Sequence, residues 1–167
     1  MTRLLLISDT HLPKRAKALP DEVWAEVERA DAVLHAGDWV EAALLDELQD
    51  RATSVVGVYG NNDGSDLRSR LPEIARAEFD GIRFAMIHET GPAAKREIRL
   101  DERFPDADVV VFGHSHIPWD TESPRGLRVL NPGSPTDRRR QPTGTYMVVE
   151  IENGELSVEL RKLPNRI

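Results

Sequence analysis

Cysteine is absent from the 167 residues of this chain. That excludes a disulfide framework and any thiolate metal site, so a metal here would rest on oxygen and imidazole ligands. Long apolar runs are absent too. MTRLLLISDT opens on a stretch far too short for a signal peptide or a membrane span, and no later segment approaches about 18 apolar residues. No membrane association is expected, and a cytoplasmic setting is the default expectation. Excess positive charge is lacking: the net charge is −7 and the pI is near 5.3. A nucleic-acid backbone is therefore an unfavoured partner, whereas a small phosphate ester needs only a local positive field. Repeats, low-complexity tracts and linkers are missing as well. The expectation is a single domain over residues 1–167, large enough to bury a real core.

What is present alternates in a readable way. Leu4–Ile7, Ala32–His35 and Ser54–Tyr59 read as buried strands. Between them lie two helices, one opened by Pro20-Asp21-Glu22 and one over Glu41–Leu48. This is the grammar of a parallel βαβαβ half. After Leu71-Pro72 the grammar changes. Asp80-Gly81 joins strands Ile74–Phe79 and Ile82–Ile87, and Asn153-Gly154 joins Thr145–Glu152 to Glu155–Leu160, both as hairpins. A helix is expected over Ala93–Arg103 and a short strand over Leu127–Leu130. The second half thus reads as antiparallel and rich in hairpins. Two packed sheets with helices outside would bury all the apolar faces.

The stretch VVVFGHSH, Val109 to His116, carries the first chemical signal. In an extended chain, residues two apart point the same way, so His114 and His116 can aim at one spot past a strand's carboxyl end. Ligands of open α/β sheets bind there. The other strand ends match it: Asp9 and His11, Asp38, Asn61, and His88. Four of the five histidines fall in these clusters, which argues against histidines that are merely solvated. Seven oxygen and imidazole groups are too many for one small ion. They suit two ions about 3.5–4 Å apart that share a carboxylate. Ligation without sulfur fits Mn, Fe, Zn, Co or Ni, with Mg also admissible. Two divalent ions would make the site locally positive inside an acidic protein, which suits a phosphate ester.

Taken in order, DTH (9–11), GD (37–38), GNND (60–63), His88 and GHSH (113–116) resemble the motif set of calcineurin-like metallophosphoesterases. HAGD before the second motif and NPGS after the last extend the likeness over nearly the whole chain. The order and spacing resemble the small single-domain phosphodiesterases of the YfcE type. The resemblance implies an α/β fold with mixed sheets in a four-layer αββα sandwich. It implies that Asp9, His11 and His116 hold one divalent ion, that Asn61, His88 and His114 hold the other, and that Asp38 bridges them. Manganese is the first expectation for both ions. A metal-bridging hydroxide would attack the phosphorus of a small phosphodiester, making Asp38, Asn61 and His88 catalytic as well as metal-holding. Asp63 joins them by orienting the loop or a ligand, with an ordinary turn aspartate as its equal alternative.

The alternatives on the same fold are a phosphomonoesterase and a non-catalytic protein-binding scaffold such as the retromer subunit. Self-association into a homo-oligomer is left open. Two residues depart from the family pattern. Asn62 stands where relatives place a histidine proton donor or a cysteine, and His88-Glu89-Thr90 replaces a His-Gly-His motif. His35 reads as a packing histidine or one that supports a ligand. The basic stretches Lys14–Lys17 and Arg138–Arg140 read as solvated loops, the second with substrate contact as its alternative.

Overall fold

A computed structural model describes residues 1–164, so the last three residues of the expected domain lie outside it. The chain runs β1 (Thr2–Ile7), α1 (Asp21–Arg29), β2 (Ala32–His35), α2 (Ala43–Arg51), β3 (Val55–Gly57), α3 (Ser65–Arg70), β4 (Ile74–Phe79) and β5 (Ile82–Ile87). It continues through α4 (Arg96–Arg103), β6 (Val109–Val111), β7 (Trp119–Glu122), β8 (Arg128–Asn131), β9 (Thr145–Glu152) and β10 (Glu155–Lys162). The strands form two five-stranded sheets, ordered β10-β9-β1-β2-β3 and β4-β5-β6-β8-β7.

Each sheet has three parallel strands: β1-β2-β3 in one, with the antiparallel β9 and β10 on one side only, and β5-β6-β8 in the other, with the antiparallel β4 and β7 on either side. The division into a parallel half and an antiparallel half is therefore corrected. The closing hairpin β9–β10 returns to the first sheet, with Leu4 opposite Val149. Non-local pairing of this kind leaves no mark in the local pattern.

The alternation in β1 builds the layers. Leu4 and Leu6 face the second sheet and pack with Met86, Val109, Val111 and Leu130. Leu5 and Ile7 face outward and pack under Val23, Val27, Leu45 and Leu48 of α1 and α2. On the far side, Ala85, Val110 and Val129 pack against Leu100 and Phe104 at α4. The result is the four-layer αββα sandwich. Both faces of each central strand are covered, as continuous apolar runs require.

Boundaries moved where a local signal competed. The helix expected from Ala93 begins at Arg96, because Lys95 takes a left-handed conformation, φ 59°. Two elements were missed: α3, a single short polar helix anchored by Leu67, and β7, whose sequence WDTE alternates weakly and which lies at a sheet edge. Among the described residues, no helix is long and apolar enough to cross a membrane.

Candidate metal centre

Because the central strands of each sheet run parallel, their carboxyl ends lie together. Asp9 and His11 follow β1, Asp38 follows β2, and Asn61 follows β3. From the second sheet, His88 follows β5, and His114 and His116 follow β6. Backbone hydrogen bonds stitch the exits to one another: Asp9 N–H donates to Gly37 O at 2.9 Å, His11 N–H to Asp38 O at 3.1 Å, and Gly113 N–H to His88 O at 2.9 Å.

The exits are not extended. Asp9, His11, Asp38, His114 and His116 all have positive φ, from 48° to 75°. The alternation expected of an extended chain therefore does not aim these side chains. Left-handed turns do, and such strain in non-glycine residues gathers where surrounding structure enforces it.

The side chains converge in a buried cluster. Asp9 Oδ1 lies 3.6 Å from His116 Nε2, 3.8 Å from His88 Nε2 and 3.9 Å from His11 Nε2. Asp38 Oδ2 lies 3.3 Å from His88 Nε2 and 3.5 Å from His11 Nε2. Two groups have the compactness of metal cages, Asp9–His11–His116 and Asp9–Asp38–His88. Asp9 is thus as central as Asp38. Asn61 Oδ1 sits 3.0 Å from His88 Nε2 and 3.1 Å from His114 Nδ1. The rings pair accordingly, His11 with His116 and His88 with His114. His114 is the open member: its side chain is 42% exposed, and its Nε2 lies 3.7 Å from Glu89.

Surrounding groups hold these side chains in place. His116 Nδ1–H donates to Asp137 O at 2.6 Å, and His88 Nδ1–H to Ala36 O at 2.7 Å. A carbonyl can only accept, so the neutral His116 ring keeps its Nε2 lone pair free for a cation, whereas His88 Nε2 faces the acceptor oxygens of Asn61 and Asp38 and must lose its proton before it can do the same. Asp63 accepts three backbone N–H groups, from Asp38 (3.0 Å), Val40 (2.7 Å) and Gly60 (2.8 Å). Asn62 donates through its backbone N–H and its side-chain amide to the two oxygens of Asp38, both at 2.8 Å. Ser134 Oγ donates to Asp9 O at 2.8 Å, and Thr136 Oγ1 to Thr10 O at 2.6 Å, so the NPGS loop clamps the DTH loop.

Sequence reasoning missed Asn62, Thr136 and Asp137 as supporting residues; only NPGS carried a signal. His35 stacks on Trp39, centroids 3.7 Å apart, accepts from Gly37 N–H and bonds Thr10 Oγ1. It packs and supports the exits from behind. Gly113 is required by close approach: a Cβ there would overlap Ser8 Oγ and reach Asp9 Oδ2.

Burial and charge shape the protonation states. Burial pushes the Asp9 carboxyl up to about 7, against the neighbouring His88. Burial also opposes charge on His88, but its hydrogen bond to Asp38 and the charges of Asp9 and Asp38 outweigh that and raise it to about 9. Asp38 is held well below the usual carboxylate range, because the bonds from His88 and Asn62 overcome its burial. Burial lowers His116 to about 4 and also lowers His11. Asp9 Oδ1, His11 Nε2 and His116 Nε2 are buried and have no hydrogen-bond partner. Three unpaired polar atoms in one place are rare in a folded core. A carboxylate and two neutral imidazoles form a donor set that fits a divalent transition-metal ion.

Residues 2–154 match the family model of the calcineurin-like phosphoesterase superfamily domain. The chain belongs to that superfamily. Among its relatives, a probable metallophosphoesterase of Methanocaldococcus jannaschii is 36% identical over 149 residues, which span 89% of this chain and 75% of the relative. A phosphodiesterase of the same organism is 27% identical over 141 residues, spanning 77% and 81%. The solution structure of a Thermotoga maritima protein superposes with a TM-score of 0.78 at 35% identity, covering 98% of this chain and all of that one. Vps29 of Entamoeba histolytica, in complex with zinc, superposes with a TM-score of 0.78 at 26% identity, covering 96% and 98%. Membership in the superfamily makes this chain a metallophosphoesterase-type hydrolase with candidate metal-ligand residues.

Proposed function

We propose that this chain is a dinuclear metal-dependent phosphodiesterase that hydrolyses small phosphodiesters. The observation that carries the reading is the trio of buried, partnerless atoms, Asp9 Oδ1, His11 Nε2 and His116 Nε2. In this reading Asp9, His11 and His116 hold one ion, Asn61, His88 and His114 hold the other, and Asp38 lies between. Manganese is the expected metal, and the cytoplasm the expected setting. Divalent cations in such a cage supply an acidified water and neutralise charge at phosphorus. The chain's own residues do the rest. Asn62 and Asp63 fix the Asp38 carboxylate and its loop. The carbonyls of Ala36 and Asp137 hold His88 and His116 as Nε2 donors. That one relative is named a phosphodiesterase supports a diester rather than a monoester as the substrate in this reading.

Asn62 has no acidic proton to give, and its amide is committed to Asp38. In this reading Asn62 gives the leaving group no proton, and the leaving group departs as an anion or takes its proton from elsewhere. Turnover is expected to be much faster on nitrophenyl than on alkyl diesters. Equal rates on both would count against this.

The test is to strip the protein with chelator and assay bis-nitrophenyl and mono-nitrophenyl phosphate with Mn, Zn, Fe, Co, Ni or Mg restored singly. Metal uptake with activity on the diester supports the reading. Activity on the monoester alone would replace it with a phosphomonoesterase. Neither activity nor uptake would favour the protein-binding scaffold to which the Vps29 likeness also points.

A further inference from the structure

Two basic stretches remain unaccounted for by the metal centre. Lys14, Arg15 and Lys17 lie on the loop after Asp9-Thr10-His11, and Arg138, Arg139 and Arg140 lie on the loop after NPGS. They are more than 120 residues apart, yet the fold sets them side by side. Arg15 Nε lies 3.6 Å from the Asp137 carboxylate, and Arg15 N–H donates to His11 O. Ala16 and Arg138 line one cavity of about 370 Å³. A second cavity, of about 350 Å³, is lined by Ser115, His116, Ile117 and the Arg138–Gln141 turn.

Six exposed cations therefore sit on two adjoining loops, and three of them, Arg138, Arg139 and Arg140, line a cavity with His116, in a protein whose net charge is −7. The nearby carboxylates are few: Asp137, which Arg15 engages, and Glu22 in the wall of the first cavity. Among the described residues, Lys14, Lys17, Arg139 and Arg140 make no ion pair with a carboxylate. Several surface arginines elsewhere on this protein are paired, as in Arg51–Glu28, Arg83–Asp108 and Arg128–Asp120. Arg139 lines the same cavity as Ser115 and His116, so its charge stands next to the candidate metal cluster.

Concentrated positive charge facing a concave surface beside a candidate phosphoester site has a natural ligand, a second anion. We propose that the two loops form a subsite for a further phosphate, so that the preferred substrate is a small phosphodiester carrying an additional phosphomonoester group. The subsite accounts for cations that neither the fold nor the metal cage uses, and it rests on the phosphodiesterase reading. Arg138 is already braced, with Nη1 donating to Gln141 O at 2.7 Å, so the turn that presents Arg139 and Arg140 is held in shape.

The test compares two diesters with the same leaving group, thymidine 5′-(4-nitrophenyl phosphate) and its 3′-phosphorylated counterpart. The native, metal-loaded protein should show a kcat/KM at least about tenfold higher on the second, the scale of charge-assisted bonds to one phosphate. That preference should collapse towards unity when Arg138, Arg139 and Arg140 are all changed to alanine. Arg139→Ala alone, and Lys14→Ala with Lys17→Ala, should each lower it in part. An unchanged preference would overturn the subsite. So would an equal loss on removing Arg29, Arg51 and Arg83, which lie elsewhere, since that would assign the effect to net charge.

If the native protein cleaves neither ester, the phosphodiesterase reading fails by itself. The subsite is then read from calorimetric binding of thymidine 3′,5′-bisphosphate against thymidine 5′-phosphate. A preference for the bisphosphate that the arginine variants lose supports it, and no preference overturns it. Tighter binding of single-stranded hexathymidylate than of the bisphosphate would overturn the small-substrate assignment in favour of a nucleic-acid strand.

Discussion

Arg3, near the start of β1, and Asp9, just past its end, are charged groups drawn into the same sandwich, and the fold treats them in opposite ways. At the amino end, Arg3 donates to both oxygens of the buried Glu26 of α1 and reaches Glu150 of β9. Glu26 also accepts from Arg29 and Arg161. Every charge there has its counter-charge. At the carboxyl end, Asp9 is fully buried with Oδ1 unpartnered, and the histidines around it stand too far off for hydrogen bonds. The backbone is relaxed at the first end and left-handed at Asp9 and His11. The contrast separates a buried charge that joins elements from a buried cluster kept unsatisfied for a ligand. Saturation by the protein's own groups serves stability, and leftover donors serve binding.

The contrast breaks most sharply at Asp38. Asp38→Ala should abolish uptake of both ions and lower diester turnover on the order of 10³-fold or more, as read by elemental analysis and nitrophenolate release. Glu26→Gln should do the reverse. It sets an amide N–H₂ against arginines and leaves Arg3 under-compensated, which costs about 3 kcal/mol. Thermal unfolding should then fall by roughly 6–12 °C, with metal content preserved. Loss of metal in this variant would show that the two ends of β1 are not independent.

Asp63→Asn tests the support of the cage. It places an N–H₂ among three backbone donors, and metal affinity or turnover should fall by about 10–100-fold while the protein stays folded by circular dichroism. The smallest effect is graded by pH. Metal binding needs Asp9 ionised and His88 neutral, and in the metal-free protein these groups titrate at about 7 and about 9. Protons are therefore released on binding, and affinity should rise with pH by about tenfold per unit for each proton released. Calorimetry in buffers of different ionisation enthalpy would check this. A flat profile between pH 6 and 9 would remove Asp9 and His88 from the cage.

Much of the centre was legible because its residues sit at strand ends, and strand ends are marked by the abrupt stop of an apolar run. Asp9, Asp38, His88 and the His114–His116 pair all follow such stops. The resemblance divides the histidines between two ions, and in space His116 lies beside Asp9 and His11, and His114 beside Asn61 and His88. The mode of presentation was not. Periodicity describes extended and helical chain, whereas the exits are left-handed turns held by bonds to other loops. Asn62 illustrates the same gap. As a letter it is a missing proton donor, and in space it is the clamp on Asp38.

Local pattern and motif order were enough to fix the sandwich class and the set of converging residues, because hydrophobic alternation and strand-end chemistry are properties of short stretches. Only folding at long range could return β9 to pair with β1, leave Asp9 Oδ1 without a donor, and set Lys14–Lys17 beside Arg138–Arg140. Burial, leftover hydrogen-bonding capacity and the summed field of distant charges belong to neighbours in space, and those neighbours are far apart along the chain.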